Sequence, residues 1–434
     1  MTDVLVRRFA RWPVRPNWVL VDQCIVSGSK FAASVLVARF LGPDMFGTFV
    51  LMLAAQLYAN AFQNALVISP MLVGAPRLDG AARADYLSGM FALQIMLSVL
   101  LALSLVILAF AWAALAPHAS AQFTRPGNLI SFVAALVAFQ FQDWQRRRFF
   151  ATGRSRSACA SDMINYLPQT ALIAAAAMSG QLSISLTFSI MAAASAASFF
   201  SGYVADPVRP AFRHGVEALR REWRSCRDYL LSWQVLWVGT QGALLIATAF
   251  IGAQAIGGIR ATQNVVGPFT ALFQALDNVI PVNASRRFTT SGVSGVVAYI
   301  RSTTARGTLA LVPAMIAITL LRVPLTRLLY GDRYVEFASL LGWQAAFMLT
   351  QFYIGQLYYF FRAVSATRSV FMSCCVVALV STSMTPLCAW LFRETGVVAA
   401  LLCGSLAGLA CAGFLAARFM RGAHSLALPT KELA

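Results

Sequence analysis

Apolar residues run through this chain in blocks of about 20 or more, parted by short breaks rich in Gly, Pro or Arg. Blocks of that length predict membrane-spanning helices, and twelve can be read. They cover 17–41, 46–69, 86–115, 127–150, 156–179 and 182–204, then 228–251, 254–282, 303–328, 335–361, 367–392 and 395–419. No break exceeds about 25 residues, which leaves no room for a soluble catalytic domain. The expected fold is an all-α polytopic membrane protein with about twelve transmembrane helices.

Polar residues interrupt these blocks unevenly. Span 1 carries Gln23, Ser27, Lys30 and Ser34 at helical spacing, on one face. Span 2 carries Gln56, Asn60, Gln63 and Asn64; span 7 carries Gln234, Gln241 and Thr248; span 8 carries Arg260, Asn264, Gln274 and Asn278. Spans 3, 11 and 12 are almost wholly apolar or small. A lone Gln or Asn in a span ordinarily bonds a neighbouring helix and contributes about 0.6 kcal/mol. Matching stripes on several helices fit a water-filled cavity better.

A repeat gives the stripes their pattern. "FLGPDMFGTF" (Phe40 to Phe49) recurs as "FIGAQAIGGI" (Phe250 to Ile259), and Arg156-Ser157 recurs as Arg368-Ser369. Both recurrences lie close to one offset, so spans 1–6 and 7–12 read as duplicated halves in the same orientation. The expected organisation is a six-helix bundle over 1–204, a basic cytoplasmic linker over 205–227 and a second bundle over 228–434. Spans 1, 2, 7 and 8 then correspond, and their polar faces would line a central cavity between two pseudo-symmetric bundles.

Composition agrees with the membrane reading. The chain is 59% hydrophobic and 12% charged, with mean hydropathy +0.69, whereas a soluble domain has roughly a quarter of its residues charged. The net charge of +18 raises nucleic acid as a partner. Its distribution argues otherwise. With both termini in the cytoplasm, 26 of the 34 Lys and Arg residues fall in cytoplasmic segments, as the positive-inside rule requires. The first span is too long for the core of a cleaved signal peptide. Six of the eight cysteines sit inside apolar runs, without CxxC or Cys/His spacing. The three histidines lie far apart, in breaks or tails. Neither a metal site, a cofactor nor a catalytic residue is expected, and the chain reads as a non-enzyme.

Lys30 stands out. It lies near the middle of span 1, about 17 Å from either end at 1.5 Å per residue, beyond the reach of a snorkelling lysine. An ammonium there costs at least about 2.5 kcal/mol unless it meets water, a carboxylate or an anionic ligand. Arg260 is a second cation on a cavity stripe. The candidate substrate-binding residues are thus Lys30, Arg260, Gln23, Gln56, Asn60, Gln63, Gln234, Gln241 and Asn264. Deep carboxylates are scarce, and Asp22 and Asp277 are the candidates for coupling to H+ or Na+.

The stretch "VDQCIVSGSKFAASVLVARFLGPDMFGTFVL" (Val21 to Leu51) resembles the opening of Wzx-type polysaccharide flippases. These belong to the multidrug/oligosaccharidyl-lipid/polysaccharide exporter superfamily. "RRRFFATGRSRSA", "IRATQNVVGPFTALFQAL" and "RLLYGDRY" are similar to later parts of that family. The resemblance implies alternating access and an undecaprenyl-diphosphate-linked oligosaccharide repeat unit as substrate. It would be moved across the bacterial inner membrane for exopolysaccharide, capsule or O-antigen synthesis. Implied partners are membrane lipid, a polysaccharide polymerase and a chain-length regulator, with no nucleic acid. Lys30 and Arg260, one from each half, would together contact the diphosphate. The alternatives are an ion-coupled multidrug antiporter of the same superfamily, a membrane glycosyltransferase or polymerase, and a non-transporting scaffold.

Overall fold

The computed structural model describes residues 18–115, 122–364 and 366–426, and among them there is no strand. A backbone in hydrocarbon must satisfy its own hydrogen bonds, and helices do so within one segment. Twelve long helices result. The first half holds α1 (18–41), α2 (43–74, with a π-helical turn at Asn64–Ile68), α3 (Gly80–Leu115), α4 (Pro126–Ala151), α5 (Ser155–Met178) and α6 (Ile184–Ala205). The second holds α7 (212–251, with a π-helical turn at Val238–Gly242), α8 (253–291), α9 (293–320), α10 (Leu340–Ala363), α11 (367–392) and α12 (394–426).

The two repeated motifs make the same corner. Gly42 (φ 79, ψ 172) separates α1 from α2, and Gly252 (φ 77, ψ 174) separates α7 from α8. A Cβ disfavours that backbone region, so glycine marks both corners. Gly292 (φ 63) and Arg393 (φ 51) part the α8–α9 and α11–α12 pairs.

Two stretches differ from the sequence expectation. The 205–227 linker is helical from Phe212 onward and runs straight into α7, because no glycine corner or proline interrupts it. The ninth span, expected over 303–328, runs instead from 293 to 320. It is followed by a short helix, Arg322–Tyr330, and a 3₁₀ turn, Asp332–Phe337, split at Gly331 (φ 82).

Packing divides the molecule by level. One end carries the Gly42 and Gly252 corners, here called the corner end; the other, here called the termini end, carries the start of α1 at Trp18 and the end of α12 at Leu426. At the corner end a single apolar core crosses both halves. It joins Val37, Phe46 and Met52 to Ala247, Ile256, Tyr334 and Val398. At the termini end there are two clusters. Met71, Met90 and Trp144 belong to one of the first half, which the start of α7 joins through Ala218, and Ala284, Val296, Phe361 and Ala412 to one of the second. Apart from the start of α7, apolar burial therefore holds the halves together at the corner end.

Candidate functional site

The seam at the corner end is built from close backbone contact. A Cβ on Gly47 would lie 1.8 Å from the Ala253 carbonyl oxygen, and one on Gly257 would lie 2.1 Å from that of Pro43. These are equivalent positions of the repeat, so α2 and α8 cross through a reciprocal pair of glycines. Below them Asn264 Nδ2 donates to Ser34 Oγ at 2.7 Å, joining α8 to α1. Above, Tyr334 Oη donates to the Ala38 carbonyl (3.0 Å) and Arg39 to that of Leu328 (2.9 Å). Burial pushes the Tyr334 phenol well above its usual range, so it stays a donor.

Lys30 and Arg260 flank this seam. Lys30 is exposed, its Nζ 5.4 Å from the centre of the Tyr166 ring on α5, a cation–π placement. Arg260 is half-buried, with one guanidinium nitrogen 3.2 Å from Gln263 Oε1. Among the described residues neither has a carboxylate partner. Ser34 and Asn264 mark one level, and α1 and α8 run in opposite directions through it. Lys30 is one turn to the termini side and Arg260 one turn to the corner side. That places their backbones about 12 Å apart along the membrane normal. The two cations therefore stand at different levels, to either side of the Ser34–Asn264 contact.

The amide stripes sort into two kinds. Gln56 Oε1 and Asn60 Oδ1 on α2, and Gln234 Nε2 on α7, are buried without a hydrogen-bond partner among the described residues. The two helices touch, with the Tyr58 and Trp237 rings 4.7 Å apart and Trp237 Nε1 donating to the Ala54 carbonyl. Buried amide atoms left unsatisfied are costly in a purely structural position. Gln241 is half-buried in the π-helical turn of α7, a feature frequent at functional sites. Gln23 donates to Ser27 Oγ (3.1 Å). Gln63 has a different place. It is fully buried and donates to Gln94 Oε1 (3.1 Å) and the Gln140 carbonyl (2.7 Å), binding α2 to α3 and α4. Its spacing put it on the stripe, but its face turns into the bundle.

Sequence reasoning did not find a cluster around Arg146 at the termini end. This guanidinium meets Asp22 of α1 (2.7 Å), Asp162 of α5 and, at 3.8 Å, Asp143 of its own helix. Asp162 also accepts from Gln142 (2.8 Å), and Asp143 pairs with Arg147 (3.3 Å). Asp22 is 1% exposed and Asp162 0%. The buried acids Asp22, Asp143 and Asp162 are thus held by arginines, and among the described residues none of them pairs with Lys30. A pocket of about 200 Å³ opens between α8 and α10, its mixed lining including Phe273, Phe352, Gln351, Gln356 and Arg362. No stripe in the sequence marks it. The side chains of Asp277, Gln274 and Asn278 lie outside the described residues.

By sequence the chain matches no family model and no curated protein. By structure it is similar to "Lipid II flippase MurJ, inward closed conformation", with a TM-score of 0.67 and 13% identity over 92% of this chain and 86% of that one. A multidrug resistance MATE family transporter of the MOP superfamily, in its inward-facing conformation, gives 0.69 at 13% identity, covering 92% and 95%. An outward-facing MATE family transporter gives 0.58 at 13%, covering 94% of each chain. Twelve helices in this arrangement are the fold of the MOP superfamily transporters.

Proposed function

We propose that the chain is a flippase that carries an undecaprenyl-diphosphate-linked oligosaccharide across the bacterial cytoplasmic membrane by alternating access. The corner end faces outward and the basic termini end inward, following the distribution of arginines. The observation that carries the anionic substrate class is the charge balance. Lys30 is exposed and without a carboxylate partner among the described residues, while Asp22, Asp143 and Asp162 are taken up by Arg146 and Arg147. An organic cation would meet the uncompensated ammonium; a diphosphate would be drawn to it.

In this mechanism the diphosphate enters from the cytoplasm and docks at Lys30, with the sugars against the unsatisfied amides of α2 and α7. Opening of the Ser34–Asn264 contact passes it towards Arg260. A compact, hydrated ammonium releases phosphate more readily than a bidentate guanidinium fork. A coupling ion would act at Asp22, which Arg146 otherwise holds at the inner end of α1.

A multidrug antiporter is the competing reading, because MATE family transporters share the fold. Deletion in the source organism separates the two. Lipid-linked repeat units should accumulate on the cytoplasmic leaflet and surface polysaccharide should fall. Lys30→Arg should restore part of the export, whereas Lys30→Ala and Lys30→Gln should restore none at normal expression. Full complementation by Lys30→Gln, or unaltered polysaccharide with lost resistance to cationic dyes, would overturn the proposal.

A further inference from the structure

An apolar groove of about 410 Å³ lies on the first half, between α3, α4 and α6. It is lined by Phe91, Ile95, Phe141, Phe199 and Phe200, with Ala138 and Ala196 at its base and no polar atom on its surface. The rings brace one another, with Phe141 and Phe199 5.3 Å apart and Phe91 and Phe141 6.1 Å apart. Phe200, 61% exposed, stands at the rim. Phe200 is five residues before the end of α6 and Phe141 ten before the end of α4. The groove therefore sits about 8–15 Å inside the termini end, at hydrocarbon depth.

A basic surface lies directly beside it. The segment after α6 is tied over α3 where Ala211 N donates to the Ser88 carbonyl (3.1 Å). There Gly89 and Gly215 touch through backbone, with a Cβ on Gly215 falling 2.7 Å from the Gly89 oxygen. Where this segment begins, Tyr203 and Val208 pack on the cluster that holds Phe91, Phe141 and Phe199, with the Tyr203 ring 6.2 Å from that of Phe91. Arg209 and Arg213 are exposed on this segment, flanked by Phe212, which is half exposed. Arg213 has only the exposed Glu217 opposite (3.1 Å), and among the described residues Arg209 has no ion pair. Aromatic and arginine side chains interleaved at the end of spans are the composition of a membrane interface that meets anionic headgroups.

We infer that this is a fixed site for one anionic phospholipid of the cytoplasmic leaflet. One acyl chain fills the Phe91–Phe141–Phe199 groove, and the phosphate lies on Arg209 and Arg213. The occupant is a bilayer lipid rather than the transported one. The groove is built from α3, α4 and α6, whereas Lys30 and the Ser34–Asn264 seam lie on α1 and α8. The leaflet rests on the orientation proposed above, but the site does not depend on the transported substrate.

Native mass spectrometry of the full chain tests it, after delipidation and addition of palmitoyl-oleoyl phosphatidylglycerol or phosphatidylcholine. The wild type should retain one phosphatidylglycerol with about tenfold preference over phosphatidylcholine. Ala196→Trp, which fills the groove, should lower retention of both lipids about tenfold. Arg209→Gln with Arg213→Gln, outside the packed core, should abolish the preference while one lipid is still retained. Equal retention of the two lipids by the wild type, or unchanged retention in Ala196→Trp, would overturn the site. So would displacement of the bound phosphatidylglycerol by undecaprenyl phosphate, which would make the groove the substrate's. Should Ala196→Trp fail to accumulate, the arginine variant decides alone.

Discussion

Arg146 shows how much a single membrane side chain is asked to hold. Its guanidinium serves buried carboxylates from α1, α4 and α5, so its removal leaves Asp22 and Asp162 unpaired beside each other. Breaking a buried ion pair by deleting one partner typically costs about 3–5 kcal/mol, against at most about 1 for a surface pair. Arg146→Met should therefore lower the unfolding midpoint of the detergent-solubilised protein strongly. Adding Asp22→Asn and Asp162→Asn to it should recover part of the loss. A loss below about 1 kcal/mol would show that the cluster is hydrated and slack. Nothing in the sequence reveals this cluster, because its members are 124 residues apart for Asp22 and Arg146. Helical spacing reports which residues share a face, not which helix that face meets. The same limit explains Gln63, whose stripe position alone could not separate a cavity wall from a contact with Gln94. Lys30 was legible because its cost depends on depth, and depth follows from the length of the apolar run.

Elements were read from the chain with greater success, for a physical reason. Helix length is set by bilayer thickness and corners by glycine, and both leave local marks. Gly42 and Gly252 adopt nearly identical backbone angles, as the repeat implied. What the repeat did not disclose is that Gly47 and Gly257 let α2 and α8 touch across the halves. A side chain at either position meets a carbonyl oxygen in the neighbouring backbone, so the corner end cannot close around it. Gly47→Leu should push the molecule towards a form open at the corner end. Oxidative crosslinking of Ser34→Cys with Asn264→Cys, in a cysteine-free background, should then slow about tenfold. Gly28→Leu is the control, since a Cβ there meets nothing within 4 Å. Equal crosslinking in both variants would mean that the glycine crossing is no gate. Where the chain broke away from expectation, as in the helical 212–227 segment, the polar residues were those of an amphipathic helix, which a count of apolar runs cannot distinguish from a loop.

At the scale of the whole molecule, the distribution of core makes a statement about access. One apolar cluster spans the halves at the corner end, while at the termini end the second half reaches the first half's cluster only through the start of α7, at Ala218. Separating two faces that share a buried core exposes apolar surface at roughly 25 cal/mol per Å², whereas faces with separate cores can part at little cost. The described conformation is therefore closed at the corner end, with its route to Lys30 from the termini end. If the arginine-rich termini end is cytoplasmic, the two sides of the membrane should report this directly. Lys30→Cys in a cysteine-free background would be treated with a membrane-impermeant maleimide. Inverted vesicles, which present the cytoplasmic face, should label about tenfold faster than spheroplasts, which present the outer one. Adding Gly47→Leu should narrow the difference, because the corner end would then stay open. Faster labelling in spheroplasts would reverse either the topology or the resting conformation. Fixing the topology independently, with a reporter fused after Leu426, identifies which of the two is wrong.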